Sequence, residues 1–303
     1  MLFRRLRGDA VLTRDPILRA HRFTNAYRAA DRVTQFLISE VVGKTEREDD
    51  LVFRVLLFKT FNRIETWRAL ERAIGTVTWR EFNSHAYVSA LTSVRDGGEP
   101  IYSNAYMMPN PPLGQAMKHE NHLALLERIM RDGTCLRILA AKNLEGLYRI
   151  LLDVPSFGRF LAFQYAIDLN YSDYFSFPES QFVVAGPGAL SGIRKCFSDA
   201  DDLEPTDVIR VMSELAEREF QRLGLRFPSL WGRPLQLIDC QNLFCEVDKY
   251  ARVAHPELDG GAGRTRIKQR YAISKGPLPE FVFPRRWELS PTLSFGNVSR
   301  ITI

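Results

Sequence analysis

Four residues near the C-terminal third of the chain have types and spacing that suit chemistry. On a helix covering about 235–253, Asp239, Asn242, Glu246 and Lys249 lie three, four and three residues apart and share one face. Two carboxylates, an amide and an ammonium in line could bind a polar ligand and move a proton. The same row could be a solvated face laced by i,i+3 and i,i+4 pairs. The density of Cys240, Gln241, Asn242 and Cys245 beside it is high for a purely solvated surface. Two further polar rows are expected on helices: Asn25, Arg28, Arg32 and Gln35, and then Asn62, Glu65 and Arg68 among Phe61, Ile64 and Trp67. A pocket would form if the three rows converged.

The sharpest local pattern is the segment from Leu144 to Ala162. One helix ends near Leu152, and Val154-Pro155 forces a turn because the residue before proline is pushed out of the helical region. Pro155 suits the start of the next element, and Gly158 permits close approach of the backbone to another group. The second helix presents unpaired N–H groups and a positive dipole end, which suit a phosphate. Such a contact positions a protein on DNA without reading its sequence. Ser156, Phe157, Gly158 and Arg159 are the expected backbone contacts. The other reading is an ordinary corner inside a core.

The segment resembles the helix-hairpin-helix of DNA glycosylases, in which a Leu-Pro-Gly-Val-Gly-like turn grips the backbone beside a flipped base. Here Ser156 replaces the first glycine. The resemblance implies a catalytic carboxylate downstream. Glu179 lies 21 residues after Gly158 and Asp173 lies 15 residues after it, and either could serve. Phe160 stands where lyase-type glycosylases carry a lysine, which speaks against a Schiff-base mechanism.

The elements that must position these groups read as helical. Apolar periodicity predicts helices at about 24–42 (with Thr24 as cap), 51–73, 79–94, 115–132, 143–152, 156–170, 189–196, 205–223 and 235–253. Residues 96–114, with three glycines and four prolines, read as an ordered loop with room for a short strand. Little of the chain alternates with period two, so the expected class is all-α or mostly helical. The expected organisation is an N-terminal extension (1–20), a helical glycosylase-like domain (21–255) with its hairpin at about 143–170, and a basic Gly/Pro/Arg-rich C-terminal extension (256–303).

With 303 residues, 45% of them hydrophobic and 25% charged, the chain can bury a substantial core. Net charge is +5, which permits a polyanion partner without requiring one. From Gly261 onward eight basic residues (Arg264, Arg266, Lys268, Arg270, Lys275, Arg285, Arg286 and Arg300) face only Glu280 and Glu288, giving either a solvated tail or a phosphate-contacting one. The four cysteines form no Cys-x-x-Cys pair, so neither zinc, nor another metal or cofactor, nor a disulfide framework is expected; buried thiols in a reducing compartment fit better. The N-terminus has no secretory pattern and no segment reaches the length of a membrane span. The expected location is intracellular: cytoplasm, nucleoid or nucleus, with no membrane partner.

Four stretches together, His21–Gln35, Phe58–Trp67, Asn104–Met107 and Ile238–Tyr250, resemble the helical domain associated with 5-hydroxymethyluracil DNA kinases. That domain belongs with the α-glutamyl/putrescinyl thymine pyrophosphorylases, glycosylase-like proteins of DNA base hypermodification. The resemblance spans about residues 20–255. It implies a transferase in which an amine or other nucleophile replaces a phosphate or pyrophosphate on the 5-methylene of a flipped base in double-stranded DNA. By residue type, Glu246, Asp239 or Glu179 would deprotonate the nucleophile, and Lys249, Arg28 or Arg32 would stabilise the leaving group. The substrate-binding set implied is Asn25, Arg28, Arg32, Asn62, Glu65, Asn104, Tyr106, Gln241 and Asn242. A kinase is an implied partner. No Gly-x-x-x-x-Gly-Lys-Ser/Thr loop occurs, so kinase activity is not expected of this chain alone. A non-catalytic DNA-docking module and a glycosylase excising a modified or damaged base are the competing readings.

Overall fold

The computed structural model describes all residues except 7, 200, 201, 262, 273–279 and 292–303. Lys275 and Arg300 of the basic stretch, and Ala262 of its glycine-rich start, lie outside the described residues. The fold is all-α. Among the described residues there are thirteen α-helices and no strand: α1 (Leu2–Leu6), α2 (Pro16–Ala20), α3 (Arg32–Phe36), α4 (Glu48–Phe61), α5 (Ile64–Ile74), α6 (Ser84–Asp96), α7 (Lys118–Arg131), α8 (Thr134–Leu139), α9 (Leu144–Leu152), α10 (Arg159–Asn170), α11 (Pro187–Cys196), α12 (Pro205–Arg222) and α13 (Leu237–Ala254). Contacts divide the chain into two units. One holds Met1–Asp31, Ala185–Val282 and Trp287–Ile303; the other holds Arg32–Val184 and Phe283–Arg286.

In the unit built on Arg32–Val184, α4 is the central element. Every residue from Asp50 to Phe61 is buried. A helix buried all round must satisfy its own polar groups. Arg54 does so by donating to the carbonyls of Glu40, Val41 and Val77 at 2.7–2.8 Å. The single helix expected over 51–73 is two helices. Asn62 takes the left-handed conformation (φ 49) and ends α4, and α5 begins two residues later. Asparagine tolerates that conformation better than most residues, so the chain turns without glycine. Gly75 (φ 85) then ends α5.

The helix expected over 24–42 is also broken. Asn25 Oδ1 accepts the N–H of Tyr27, and Asp239 Oδ1 accepts that of Arg28 at 2.7 Å. Side chains that capture backbone donors compete with helix formation. The result is an extended segment, a 3-10 turn at Arg28–Ala30, then α3 and a wide π turn at Leu37–Val42. Thr24 therefore caps no helix. Asn25 lies in the extended segment, Arg28 in the 3-10 turn, and Arg32 and Gln35 in α3, so these four do not share one helix. The expected row on α5 loses Asn62, which ends α4 and stands outside α5.

In the other unit α11 lies against α13 through small residues. A Cβ on Gly188 would fall 2.3 Å from Cys245 Sγ, and one on Gly192 would fall 2.0 Å from the Phe244 carbonyl oxygen. Where the helices meet, Asp248 is buried and accepts from Ser191 Oγ (2.6 Å), Lys195 Nζ (3.0 Å) and Arg252. Burial pushes its carboxyl up, but these donors outweigh burial and hold it below the usual range. Gly192→Ala is therefore expected to cost about 2–4 kcal/mol in urea unfolding. Gly158→Ala, where a Cβ meets nothing within 4 Å, is expected to stay within about 1 kcal/mol; equal effects would refute the packing assignment.

Candidate functional site

The segment between α9 and α10 is a tight turn at the surface. Asn143 caps α9 by accepting the Gly146 N–H at 2.7 Å. After Leu152 the Phe157 N–H donates to the Val154 carbonyl, with Pro155 second and Ser156 third in the four-residue turn. Ser156 has φ 70. Proline second and a left-handed third residue define a type II turn, where glycine is the usual third residue. The serine thus keeps the backbone shape that glycine would supply. Val154 and Phe157 are buried, and the Phe157 ring stacks on Tyr165 of α10 at 4.3 Å and 9°. Gly158 and Arg159 are exposed. Gly158 caps α10 without a side chain, so the N–H groups of its first turn have no intrahelical acceptor. Beside the turn lies a recess of about 170 Å³ lined by Arg128, Arg137, Asp132, Asp153 and Pro155, among others. Its arginines are paired to Asp132 (3.5 Å) and Asp153 (3.0 Å).

Helix α10 also carries a polar row inside the protein. Gln164 and Asp168 are both buried. Asp168 Oδ2 lies 3.0 Å from Lys59 Nζ of α4, with both side chains at most 4% exposed. Lys59 Nζ sits 4.1 Å from the centre of the Tyr106 ring, which also stacks with Phe160. Tyr106 Oη donates to Gln164 Oε1 at 3.1 Å. Thr60 Oγ1 and Tyr165 Oη share a hydrogen bond at 2.9 Å.

One imidazole pins the loop that delivers Tyr106. His122 Nε2 lies 2.8 Å from the Pro109 carbonyl, which can only accept, so Nδ1 accepts from Tyr102 Oη at 2.7 Å. Burial lowers the His122 pKa from 6.5 to about 4, keeping the ring neutral in the folded protein.

The row on α13 exists as a helical face, but its members are differently engaged. Asp239 is buried; its oxygens accept the N–H groups of Arg28 (2.7 Å) and Gln236 (2.9 Å), the second closing a capping box. Glu246 Oε2 accepts the Thr24 N–H and lies 3.1 Å from Lys249 Nζ, which rests 4.7 Å from the Phe23 ring. Asn242 is half-buried and Gln241 is buried with Oε1 lacking a donor. Arg32 and Glu65 meet at 3.2 Å on an exposed surface, and Asn104 is exposed. Glu179 is buried. Asp173 is exposed and accepts the Arg285 N–H, while Arg286 donates to the carbonyls of Asn170 and Ser172 at the end of α10. Of these two, Arg286 is thus occupied within the protein, while the Arg285 side chain is 94% exposed. Cys196, expected to be buried, is exposed. Among the described residues no cluster of metal-ligating side chains occurs and no helix is long and apolar enough to cross a membrane.

Lys59, Gln164, Asp168 and His122 do not stand out in the sequence as site residues. The signal there is Gln164 and Asp168 four apart in the mostly apolar stretch from Phe160 to Leu169.

A family model described as the helical domain of 5-hmdU DNA kinase matches residues 1–260. The chain belongs to this family. The matched span takes in every candidate residue except the basic C-terminal ones. A 5-hmdU DNA kinase of Bacillus phage SP10 is 28% identical over 258 residues, covering 78% of this chain. The chain spans about 40% of that relative's length. No solved structure matches.

Removing one partner of the Lys59–Asp168 pair leaves a buried charge. Asp168→Ala is expected to cost about 3–5 kcal/mol in urea unfolding, and the double change Lys59→Met/Asp168→Leu to recover most of it; a mild single effect would show the pair to be solvated. The unfolded chain takes up the His122 proton near pH 6.5 and the folded one near 4. This contribution is complete above pH 6.5 and fades, by about 2–3 kcal/mol, as pH falls to 4. His122→Gln should flatten the stability profile in that window, and an unchanged slope would count against it.

Proposed function

We propose that this chain handles DNA in thymine-base hypermodification. The α9–α10 hairpin grips the phosphate backbone of double-stranded DNA, and a uracil base bearing an activated 5-hydroxymethyl group is flipped out for reaction. An amine attacks the methylene; its C–N bond forms as the C–O bond to phosphate or pyrophosphate breaks. The amine's proton passes to a carboxylate, and the leaving group departs as the anion. Glu246 is the proposed proton acceptor and Lys249 the cation for the leaving group, the two being held 3.1 Å apart. Asp239 is assigned a positioning role, because its oxygens already accept backbone donors. A kinase activity outside these 303 residues supplies the phosphorylated base, since the chain has no phosphate-binding loop of the nucleotide-kinase type.

The observation that carries the DNA reading is the left-handed Ser156 in a proline turn ahead of the open N-terminus of α10. It supports that reading because a turn of this shape, made without glycine, leaves the N–H groups of a helix N-terminus open to a phosphate. The engagement of Asp239 favours a second reading, a docking module that seats a kinase on DNA without chemistry of its own.

Mass spectrometry of nucleosides separates these readings. DNA carrying 5-hydroxymethyluracil, with and without phosphorylation, is exposed to the protein and a pool of amines. A new nucleoside is expected only from phosphorylated DNA, and Glu246→Ala should abolish it while leaving DNA affinity nearly intact. An unchanged profile would leave the docking module, and release of free base would establish excision instead.

A further inference from the structure

The buried row on α10 contains one unmet group. Gln164 is 0% exposed, and its Nε2 donates to nothing. Buried polar atoms are almost always partnered, so an unmet one calls for a water, an ion or a ligand group. The amide has two ends, a donor and an acceptor side by side, and Tyr106 offers it one hydroxyl. In whichever orientation the amide lies, a single hydroxyl leaves the other end unmet.

Tyr106 lies on a loop segment whose other residues face solvent. Its neighbours Asn104, Ala105 and Met107 are exposed, Met107 at 93%. Both flanks of the segment are fixed independently of it. Tyr102 and Pro109 share His122, and the Ser103 N–H donates to the Phe61 carbonyl at 2.8 Å. The arch between them is thus anchored at both ends.

Resting on the reading of this chain as a DNA-handling protein, we propose that the Tyr106 ring is a removable plug in a base slot, and that a uracil-type base takes its place. The imide edge of such a base sets an N3–H donor beside a carbonyl acceptor, which pairs with both ends of the Gln164 amide at once. Phe160, which now stacks with Tyr106, offers the base an aromatic surface, and the Lys59 ammonium offers the face of a flat ring a cation. Asp168 holds that ammonium in position. Gln164 is then a specificity residue and Tyr106 a gate.

The test compares duplexes identical except for 5-hydroxymethyluracil or an abasic site at one position, bound by the full chain and followed by fluorescence anisotropy. Tyr106→Ala should bind the 5-hydroxymethyluracil duplex about tenfold more tightly and leave the abasic duplex unchanged, since opening the slot no longer opposes binding. Gln164→Leu should lower affinity for the modified duplex to the abasic level. Its melting temperature should hold or rise, because the change removes an unmet buried donor. A Gln164→Leu protein that melts earlier yet still prefers the modified duplex would make Gln164 a packing residue and overturn the slot. If Tyr106→Ala and Gln164→Leu leave both affinities unchanged, the slot fails while DNA binding stands. If the wild-type chain binds neither duplex, the DNA reading fails and the slot with it.

Discussion

A lysine and an aspartate with almost no contact with solvent tie α4 to α10. Neither could be buried alone, because an isolated charge away from water costs far more than a helix contributes. The pair therefore sets which faces of the two helices meet, and at what register. That register brings together Thr60 and Tyr165, whose hydrogen bond lies beside the pair, and it seats Phe157 on Tyr165, which holds the hairpin turn down. The exposed start of α10 is thus presented from a rigid base.

The second unit solves a similar problem with Asp248. Three donors from α11 and α13 converge on this carboxylate, in an interface that glycines bring close. The result is a locked helix pair rather than a titrating site. Asp239 does comparable work at the start of α13, fixing the turn at Arg28. The acidic residues of this helix are thus divided between architecture (Asp239, Asp248) and a partly exposed pair, Glu246 with Lys249.

Helices with a strong periodicity and clear ends were legible in the sequence. Helices α9 to α13 lie within about three residues of expectation, because Asn143, Pro155, Pro187, Pro205 and Pro234 mark where they can begin. The segments around Asn25 and Asn62 were not legible. There a side chain or a left-handed residue overrides a helical pattern, and the deciding partner Asp239 lies over two hundred residues away. The same distance effect hid the polar row. Lys59 reads as the charged end of an apolar run, and only the packing of α10 against α4 turns it into a buried partner of Asp168. Tyr106 stood out by resemblance, but its hydrogen bond to Gln164 depends on a loop with no periodicity to read.

Hydrogen–deuterium exchange with a duplex carrying 5-hydroxymethyluracil bears on both the hairpin and the slot at once. DNA is expected to slow exchange at the amides of residues 156–161, the hairpin tip and first turn of α10, and to alter it across 103–108, the arch that carries Tyr106. Protection confined to other surfaces, with both segments exchanging as in the free protein, would mean that neither the hairpin nor the arch meets DNA.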